Sequence, residues 1–190
     1  MPINRREKIM EAAARSFALF GYKGTTMDHV AKIASVGKGT IYYFYKNKEE
    51  LFNEIVHDLI VEVKNVASKA LDHEKPFLTN VHNVLDMVLD FRERHELMVR
   101  LSHEVKDSSS PVIQEALQRL EDAVLALISR EVQRAMKQGE LKRCDPEITA
   151  FIMFKLYIAL VYDWEKTHPP LEKEEIARVF SLYLAEGFAV

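Results

Sequence analysis

The sequence has little of what several classes of protein require. It contains one cysteine, Cys144, and therefore cannot form an internal disulfide, and it does not open with a basic and apolar leader. We therefore expect a cytoplasmic protein. Six glycines and six prolines are thinly scattered, and few stretches alternate apolar with polar residues as strands do. These shortages predict an all-α fold.

Long hydrophobic runs are also missing. The longest apolar stretch covers residues 148–164, whereas a membrane-spanning helix needs about 20 residues. Lys155 would lie near the middle of the bilayer, at a cost of about 2.5–3.5 kcal/mol. We expect this stretch to be a helix buried in protein, and we expect no membrane partner.

Patterns typical of catalysis and metal binding are absent from the sequence. The histidines are scattered, without the i, i+4 pair of a zinc-binding helix. The pair Glu49 and Glu50 falls at a predicted helix start, where carboxylates favour the helix dipole. The glycine-containing stretch 37–40 lacks the spacing of a nucleotide-binding loop. We expect no metal, no cofactor and no enzymatic activity.

Charge is distributed unevenly along the chain. Residues 1–52 contain nine Lys and Arg against five Asp and Glu, a net charge of +4, and the remaining residues have a net charge of −7. A basic small segment joined to an acidic larger one indicates that the first meets a polyanion.

Three short helices are predicted in the basic segment. Asn4 and Glu7 form a capping box before a helix over residues 5–20, and Gly21 is suited to a left-handed stop. Its apolar stripe consists of Ile9, Ala12, Ala13, Phe17 and Phe20. Thr25 with Asp28 repeats the cap pattern before a second helix that ends near Ala34. A third starts near Gly37 or Lys38, because Asn47 and Glu50 already cap the fourth.

The second and third helices are too short and too closely joined to lie antiparallel, so their spacing predicts a helix-turn-helix. Ile41 and Tyr45 face inward on the third helix, and Phe44 is intermediate. The opposite side presents Lys38, Gly39, Thr40, Tyr42 and Tyr43. Hydroxyls, phenols and a lysine can bond phosphates and base edges, and Lys46 and Lys48 would flank this surface as phosphate contacts.

Residues from about 5 to 52 resemble the DNA-binding domain of the TetR family of bacterial repressors. The motifs that carry the resemblance are Phe17, Gly21, Thr25-Thr26, Ile33-Ala34, residues 39–45 and residues 46–51. It implies that operator DNA is contacted by Thr25, Lys38, Gly39, Thr40, Tyr42, Tyr43 and Lys48. Thr26 and Lys46 are further candidate contacts. It also implies a helix-turn-helix domain over residues 1–47 and a larger helical bundle over residues 48–190 that binds an effector and dimerises.

Two positions depart from the family pattern. The family commonly has glycine where Ser35 stands, and serine makes a left-handed turn residue costlier than glycine. The family also commonly orders the final aromatic pair of the third helix as Tyr-Phe, where Phe44-Tyr45 stands here. The hydroxyl of Tyr45 then lies at the edge of the core and must find a partner or reach water.

Six helices are predicted in the larger domain. They cover residues 48–73, 76–91, 94–106, 111–138, 145–167 and 172–188, with breaks at prolines and at Gly139. In the helix over 111–138, a seam typical of a packed bundle consists of Ile113, Leu117, Leu120, Val124 and Leu127.

The last two helices carry more apolar surface than a monomer rim needs, which favours a homodimer. By resemblance, they form a four-helix interface with the candidates Ile158, Val161, Tyr162, Ile176, Val179, Phe180, Tyr183 and Leu184. Two recognition helices would then lie roughly 34–36 Å apart, about one turn of DNA. The alternative is that these residues fill the core of the monomer.

Candidates for an effector pocket are Met87, Phe91, Met98, Leu101, Phe151, Phe154, Lys155 and Tyr157. Plain core is an equally good interpretation of such methionines and aromatics at helical spacing. Lys155 is the exception, because a cation in so apolar a helix must snorkel, pair with an acid or meet an anionic ligand.

The resemblance, together with these patterns, implies a repressor that binds a palindromic operator as a homodimer and releases it when a lipophilic small molecule binds. The alternative is an effector-independent DNA-binding protein whose larger domain only dimerises or recruits a protein partner.

Overall fold

The computed structural model describes residues 4–92 and 110–188. It is 81% helical, and no β-strand is present in these two ranges, so the predicted all-α class is confirmed. The described residues form eight α-helices, which are α1 (Arg5–Gly24), α2 (Met27–Ile33), α3 (Lys38–Phe44), α4 (Lys48–Ala70), α5 (Phe77–Arg92), α6 (Pro111–Lys137), α7 (Pro146–Ile158) and α8 (Lys173–Phe188). The predicted helix over residues 94–106 lies outside the described residues.

Local chemistry sets most of the helix ends where the sequence predicts them. The Asn4 side chain accepts a hydrogen bond from the Arg6 backbone N–H, and the Glu7 carboxylate accepts one from Asn4 N at 3.0 Å. Gly21 has a φ of 69° and kinks the end of α1. The predicted cap of α2 is wrong by one residue. Thr26 caps it, since its hydroxyl accepts from His29 N at 3.2 Å.

The helix predicted over residues 145–167 changes its hydrogen bonding part-way. α7 begins after the cap residue Asp145 and ends at Ile158, and a π-helical turn (Ala159–Asp163) and a short 3₁₀ turn (Trp164–Lys166) follow. The chain therefore stays helical to Lys166, close to the predicted end. Widened turns of this kind are rare in helices.

The chain divides into two compact units. The first contains residues 4–61 and 110–120 and the second contains residues 62–92 and 121–188. Two helices, α4 and α6, contribute residues to both units. The functional division at residues 47 and 48 remains a prediction, whereas the packing division falls within α4.

Each unit has its own core. In the first unit α1, α2, α3, α4 and the start of α6 bury a cluster that includes Ile9, Phe17, Val30, Ile41, Tyr45, Phe52, Ile113 and Ala116. In the second unit the core includes Phe77, Leu85, Val132, Met153, Val161, Ile176, Phe180 and Leu184. Of the predicted seam of α6, Ile113, Leu117 and Leu120 pack in the first core, whereas Val124 and Leu127 are half-buried and belong to neither core. No described helix is long and apolar enough to cross a membrane.

Candidate DNA-binding surface

α1 and α4 provide the frame that holds the two short helices. The Phe17 and Phe52 rings meet edge to face at 5.2 Å between centroids, and the Tyr22 and Phe52 rings do so at 5.1 Å. Rings in this arrangement attract each other beyond their burial. The predicted stripe of α1 is correct except at Phe20, whose side chain is exposed because it lies at the edge of the buried face.

A tight turn joins α2 to α3. Val36 N donates to Ala31 O at 3.0 Å, and Ser35 between them has a φ of 53°. This closure is the helix-ending turn that ordinarily places glycine at the left-handed position. The turn is therefore closed in the usual way, with serine in the place of glycine.

α3 has one buried face and one exposed face, as predicted. Ile41 on α3 and Tyr45, the residue that follows the helix, are fully buried, and Phe44 is half-buried. The exposed face presents Tyr42 and Tyr43, the latter with 83% of its surface exposed. Packing of the core does not account for two exposed tyrosines on a helix of only seven residues.

Gly39 lies on the same exposed face. A Cβ atom built on it would meet no other atom within 4 Å. Packing within the described part of the chain therefore gives no reason for a glycine at this position.

Lys38 is held by α2. Its ammonium lies 2.8 Å from the carboxylate of Asp28, and that hydrogen bond together with the nearby negative charge raises the pKa of Lys38. The ion pair is exposed and links α2 to the first residue of α3. Asp28 was assigned to a cap in the sequence analysis, and only the fold brings it beside Lys38.

Lys48 is held by the end of α1. Its ammonium donates to the backbone carbonyl of Tyr22 at 2.6 Å and lies 4.4 Å from the centroid of the Tyr22 ring. A cation over an aromatic face is attracted by the ring quadrupole. Lys48 thus fastens the first turn of α4 to α1.

The other predicted contacts are placed differently. Thr26 and Lys46 are exposed, and Thr40 is half-buried. Thr25 is buried, with its hydroxyl 3.2 Å from Ser16 Oγ. The structure therefore brings Lys38, Gly39, Tyr42 and Tyr43 to one exposed surface, and it places Thr25 in the core.

Several of the effector-pocket candidates have described side chains, and these lie in the second unit. Phe151 and Met87 are exposed, whereas Phe154 and Tyr157 are half-buried. Lys155 pairs with Glu121 at 2.7 Å and lies 5.1 Å from the ring centroids of both Phe151 and Phe154. The side chains of Phe91, Met98 and Leu101 lie outside the described residues.

The candidates for the dimer interface fall into two groups. Val161, Ile176, Phe180 and Leu184 are buried in the core of the second unit, whereas Ile158, Tyr162 and Val179 are half-buried and Tyr183 is exposed. The last two α-helices also expose large apolar side chains that are not among the predicted interface residues, namely Ile148, Ile152, Leu182 and the predicted pocket residue Phe151. Their spacing along α7, at three and four residues, is a signal that could have found them.

Two family profiles match the chain. The profile described as bacterial regulatory proteins, tetR family, matches residues 9–55, and the profile described as tetracyclin repressor-like, C-terminal domain, matches residues 81–188. The chain belongs to the TetR family. It is therefore a helix-turn-helix transcriptional regulator, and regulators of this family are not enzymes.

Relatives of this TetR-family regulator cover nearly its whole length. It is 49% identical over 189 residues to an uncharacterized HTH-type transcriptional regulator, YhgD of Bacillus subtilis, covering 100% of this chain and 99% of that one. It is 23% identical to IcaR of Staphylococcus aureus, a negative transcriptional regulator of a biofilm operon, over 80% of each chain. The solved structure of a SmeT–triclosan complex matches with a TM-score of 0.81 at 18% identity, over 98% of this chain and 92% of that one.

Proposed function

We propose that this TetR-family regulator represses its target genes by binding a palindromic operator through the exposed face of α3. The observation that carries the proposal is that face itself, on which Lys38, Gly39, Tyr42 and Tyr43 stand outside the core. A regulator acts where the chromosome is, so the proposed location is the cytoplasm. The name of IcaR, a negative regulator, supports repression.

Each residue on this face has a proposed part. Tyr42 and Tyr43 donate hydrogen bonds to phosphates or base edges and pack against thymine methyl groups. Gly39 lets the backbone approach DNA closely, which supplies the reason for glycine that packing does not. Thr40 and Lys46 are further proposed contacts, and Lys38 reaches DNA by exchanging Asp28 for a phosphate.

The proposed part of Lys48 is positioning as well as direct contact. Its bonds to Tyr22 fix the beginning of α4 against the end of α1, beside the recognition helix. Thr26 supports the same surface by capping α2. For Thr25 we propose an indirect part, through the buried hydroxyl pair with Ser16.

We also propose that the protein is a homodimer assembled through α7 and α8. Ile148, Phe151, Ile152, Leu182 and Tyr183 are exposed on these helices, and a monomer would leave them in water. A twofold interface uses the same surface on both subunits and pairs the recognition helices with the two halves of a palindrome.

The effector proposed for the second unit is lipophilic. The SmeT–triclosan complex shows that one protein of this fold holds such a compound. In this chain Lys155 is fixed between Glu121 and two aromatic rings, which gives the unit one cationic group among apolar side chains. Because α4 runs through both units, an effector that favours one arrangement of the second unit can alter the affinity of the first for DNA.

A second candidate function is regulation without an effector. One observation favours it: Lys155 already pairs with Glu121 and lies against the Phe151 and Phe154 rings, so this cation does not need an anionic ligand. Native mass spectrometry of the freshly purified protein separates the two. A bound compound whose removal changes operator affinity supports the effector. If no compound is bound, or if removing it leaves operator affinity unchanged, the alternative is favoured.

Selection from a random duplex pool tests DNA recognition directly. We expect the full-length protein to enrich one palindrome whose half-sites are about one helical turn apart. Enrichment that is no better than that of a Tyr42→Ala, Tyr43→Ala double variant would exclude α3 as the recognition helix.

A further inference from the structure

An open groove lies on the first unit between α1 and α2. It is lined by Arg15, Leu19, Phe20, His29, Lys32 and Ile33 and has a volume of about 440 Å³. Sites for small molecules in proteins occupy about 300–1,000 Å³. The groove is therefore large enough for a small ligand.

The floor of the groove is apolar and open to water. Leu19 and Phe20 expose 62% and 54% of their surfaces, although α1 buries its other face in the core. The Phe20 ring lies 5.9 Å from the His29 imidazole, which fixes one wall of the groove. A ligand chain laid on this floor would remove apolar surface from water, which is favourable.

The charged groups at the groove have one sign. Arg15 and Lys32 are exposed, and neither forms an ion pair within residues 4–92 and 110–188. No carboxylate lines the groove. Lys38, on the neighbouring helix, differs because Asp28 already neutralises it.

We propose that this groove binds an amphipathic monoanion, such as a medium-chain carboxylate. Its head group lies between Arg15 and Lys32, and its chain covers Leu19, Phe20 and Ile33. The site belongs to the DNA-binding unit and is separate from the effector site proposed in the second unit. A bound anion reduces the positive charge of the segment that attracts DNA.

Two other occupants fit the groove less well. Six lining residues fall short of the roughly 800 Å² per partner that a specific protein interface buries. A DNA backbone would satisfy the two cations but would leave the leucine and the phenylalanine uncovered. A small amphipathic anion satisfies both the charge and the apolar floor.

Methyl NMR of the full-length protein, labelled at isoleucine and leucine and free of DNA, tests the proposal. Decanoate below its micelle threshold should shift the Leu19 and Ile33 methyl resonances saturably. Decyltrimethylammonium, with the same chain and the opposite charge, should not. Decanoate should bind more tightly than octanoate, by up to roughly fourfold per added methylene.

Variants locate the binding site. The double variant Arg15→Gln, Lys32→Gln should weaken decanoate binding at these methyls by roughly fivefold or more. The control double variant Lys8→Gln, Lys23→Gln removes two exposed cations of the same unit that do not line the groove, and it should leave binding unchanged. Phe20→Ala should weaken binding without removing charge.

The proposal is overturned if decanoate leaves both methyl resonances in place at millimolar concentration, if the cationic detergent shifts them equally, or if the first double variant binds as tightly as the control. A shift that only duplex DNA produces would assign the groove to the DNA backbone. Binding of decanoate in the second unit alone would support an effector there and still contradict the groove.

Discussion

Ser35 holds the backbone of the turn between α2 and α3 at a φ of 53°. A residue with a Cβ atom is disfavoured there by about 1–2 kcal/mol, and glycine is not. The sequence predicts the cost of a serine at this position, because the family commonly has glycine there. It could not show that the turn keeps its left-handed form.

Ser35→Gly should therefore raise the free energy of unfolding by about 0.5–1 kcal/mol. Ser68→Gly, at an exposed position in the last turn of α4, is the control and should not raise it, because glycine is a poorer helix former than serine. Urea denaturation followed by circular dichroism measures both. If Ser35→Gly instead lowers the free energy of unfolding, the serine side chain stabilises the fold by more than the backbone strain at this position destabilises it.

Tyr45 places a hydroxyl in the core of the first unit. Burial raises the pKa of Tyr45, and the positive charge of the nearby Arg6 and a hydrogen bond from its side chain oppose the change. The hydroxyl that was expected to find a partner or reach water is therefore buried beside Arg6.

The raised pKa of Tyr45 sets a direction for alkaline unfolding. Above about pH 10 the unfolded chain ionises its tyrosines while folded Tyr45 stays protonated, so the stability it contributes falls as pH rises through its folded pKa. Tyr45→Phe should lose stability less steeply than wild type between pH 9.5 and pH 11. Tyr43→Phe, at an exposed site, should follow wild type, and parallel curves for all three proteins would refute the assignment.

At the scale of elements, an ion pair joins α2 to α3. Asp28 holds the ammonium of Lys38 at 2.8 Å, on the surface proposed to meet DNA. The carboxylate competes with phosphate for that cation and adds a negative charge to the interface.

Asp28→Asn should therefore strengthen binding to non-specific duplex roughly two- to fivefold at low salt and make the salt dependence steeper by about one counterion. Fluorescence anisotropy over a salt series measures both quantities. Asp58→Asn removes an exposed carboxylate from α4 and should change them less. Equal effects from the two variants would mean that only net charge matters.

The helices could be predicted from the sequence because caps, glycines and prolines act locally. Asn4, Gly21 and Gly139 each stand where a helix begins, kinks or ends. The missed features are tertiary. The pairing of Lys38 with Asp28, the burial of Thr25 and the insertion of Ile113 into the core of the first unit depend on how separate helices pack.

At the scale of the whole molecule, the apolar residues of the last two α-helices fall into a buried group and an exposed group. Ile176, Phe180 and Leu184 fill the core of the second unit, so the exposed side of α8, with Leu182 and Tyr183, remains for a partner. Sequence periodicity identified both helices as apolar but could not assign their two sides.

Tyr183→Glu should convert the proposed dimer to a monomer, because the proposed twofold interface would place the new charge twice in an apolar contact. Sedimentation equilibrium should give twice the 22.0 kDa chain mass for wild type and the single chain mass for the variant. Tyr43→Glu changes an even more exposed tyrosine in the first unit and should remain dimeric. A dimeric Tyr183→Glu protein would move the interface elsewhere.

We propose above all that the exposed face of α3 recognises a DNA sequence. The most direct test measures the affinity of Tyr42→Ala for the selected palindrome and for a scrambled duplex at the same salt concentration. We predict at least roughly tenfold weaker binding to the palindrome and little change on the scrambled duplex, since a base contact carries specificity and a phosphate contact does not. An equal loss on both duplexes, or no loss on either, would contradict the account.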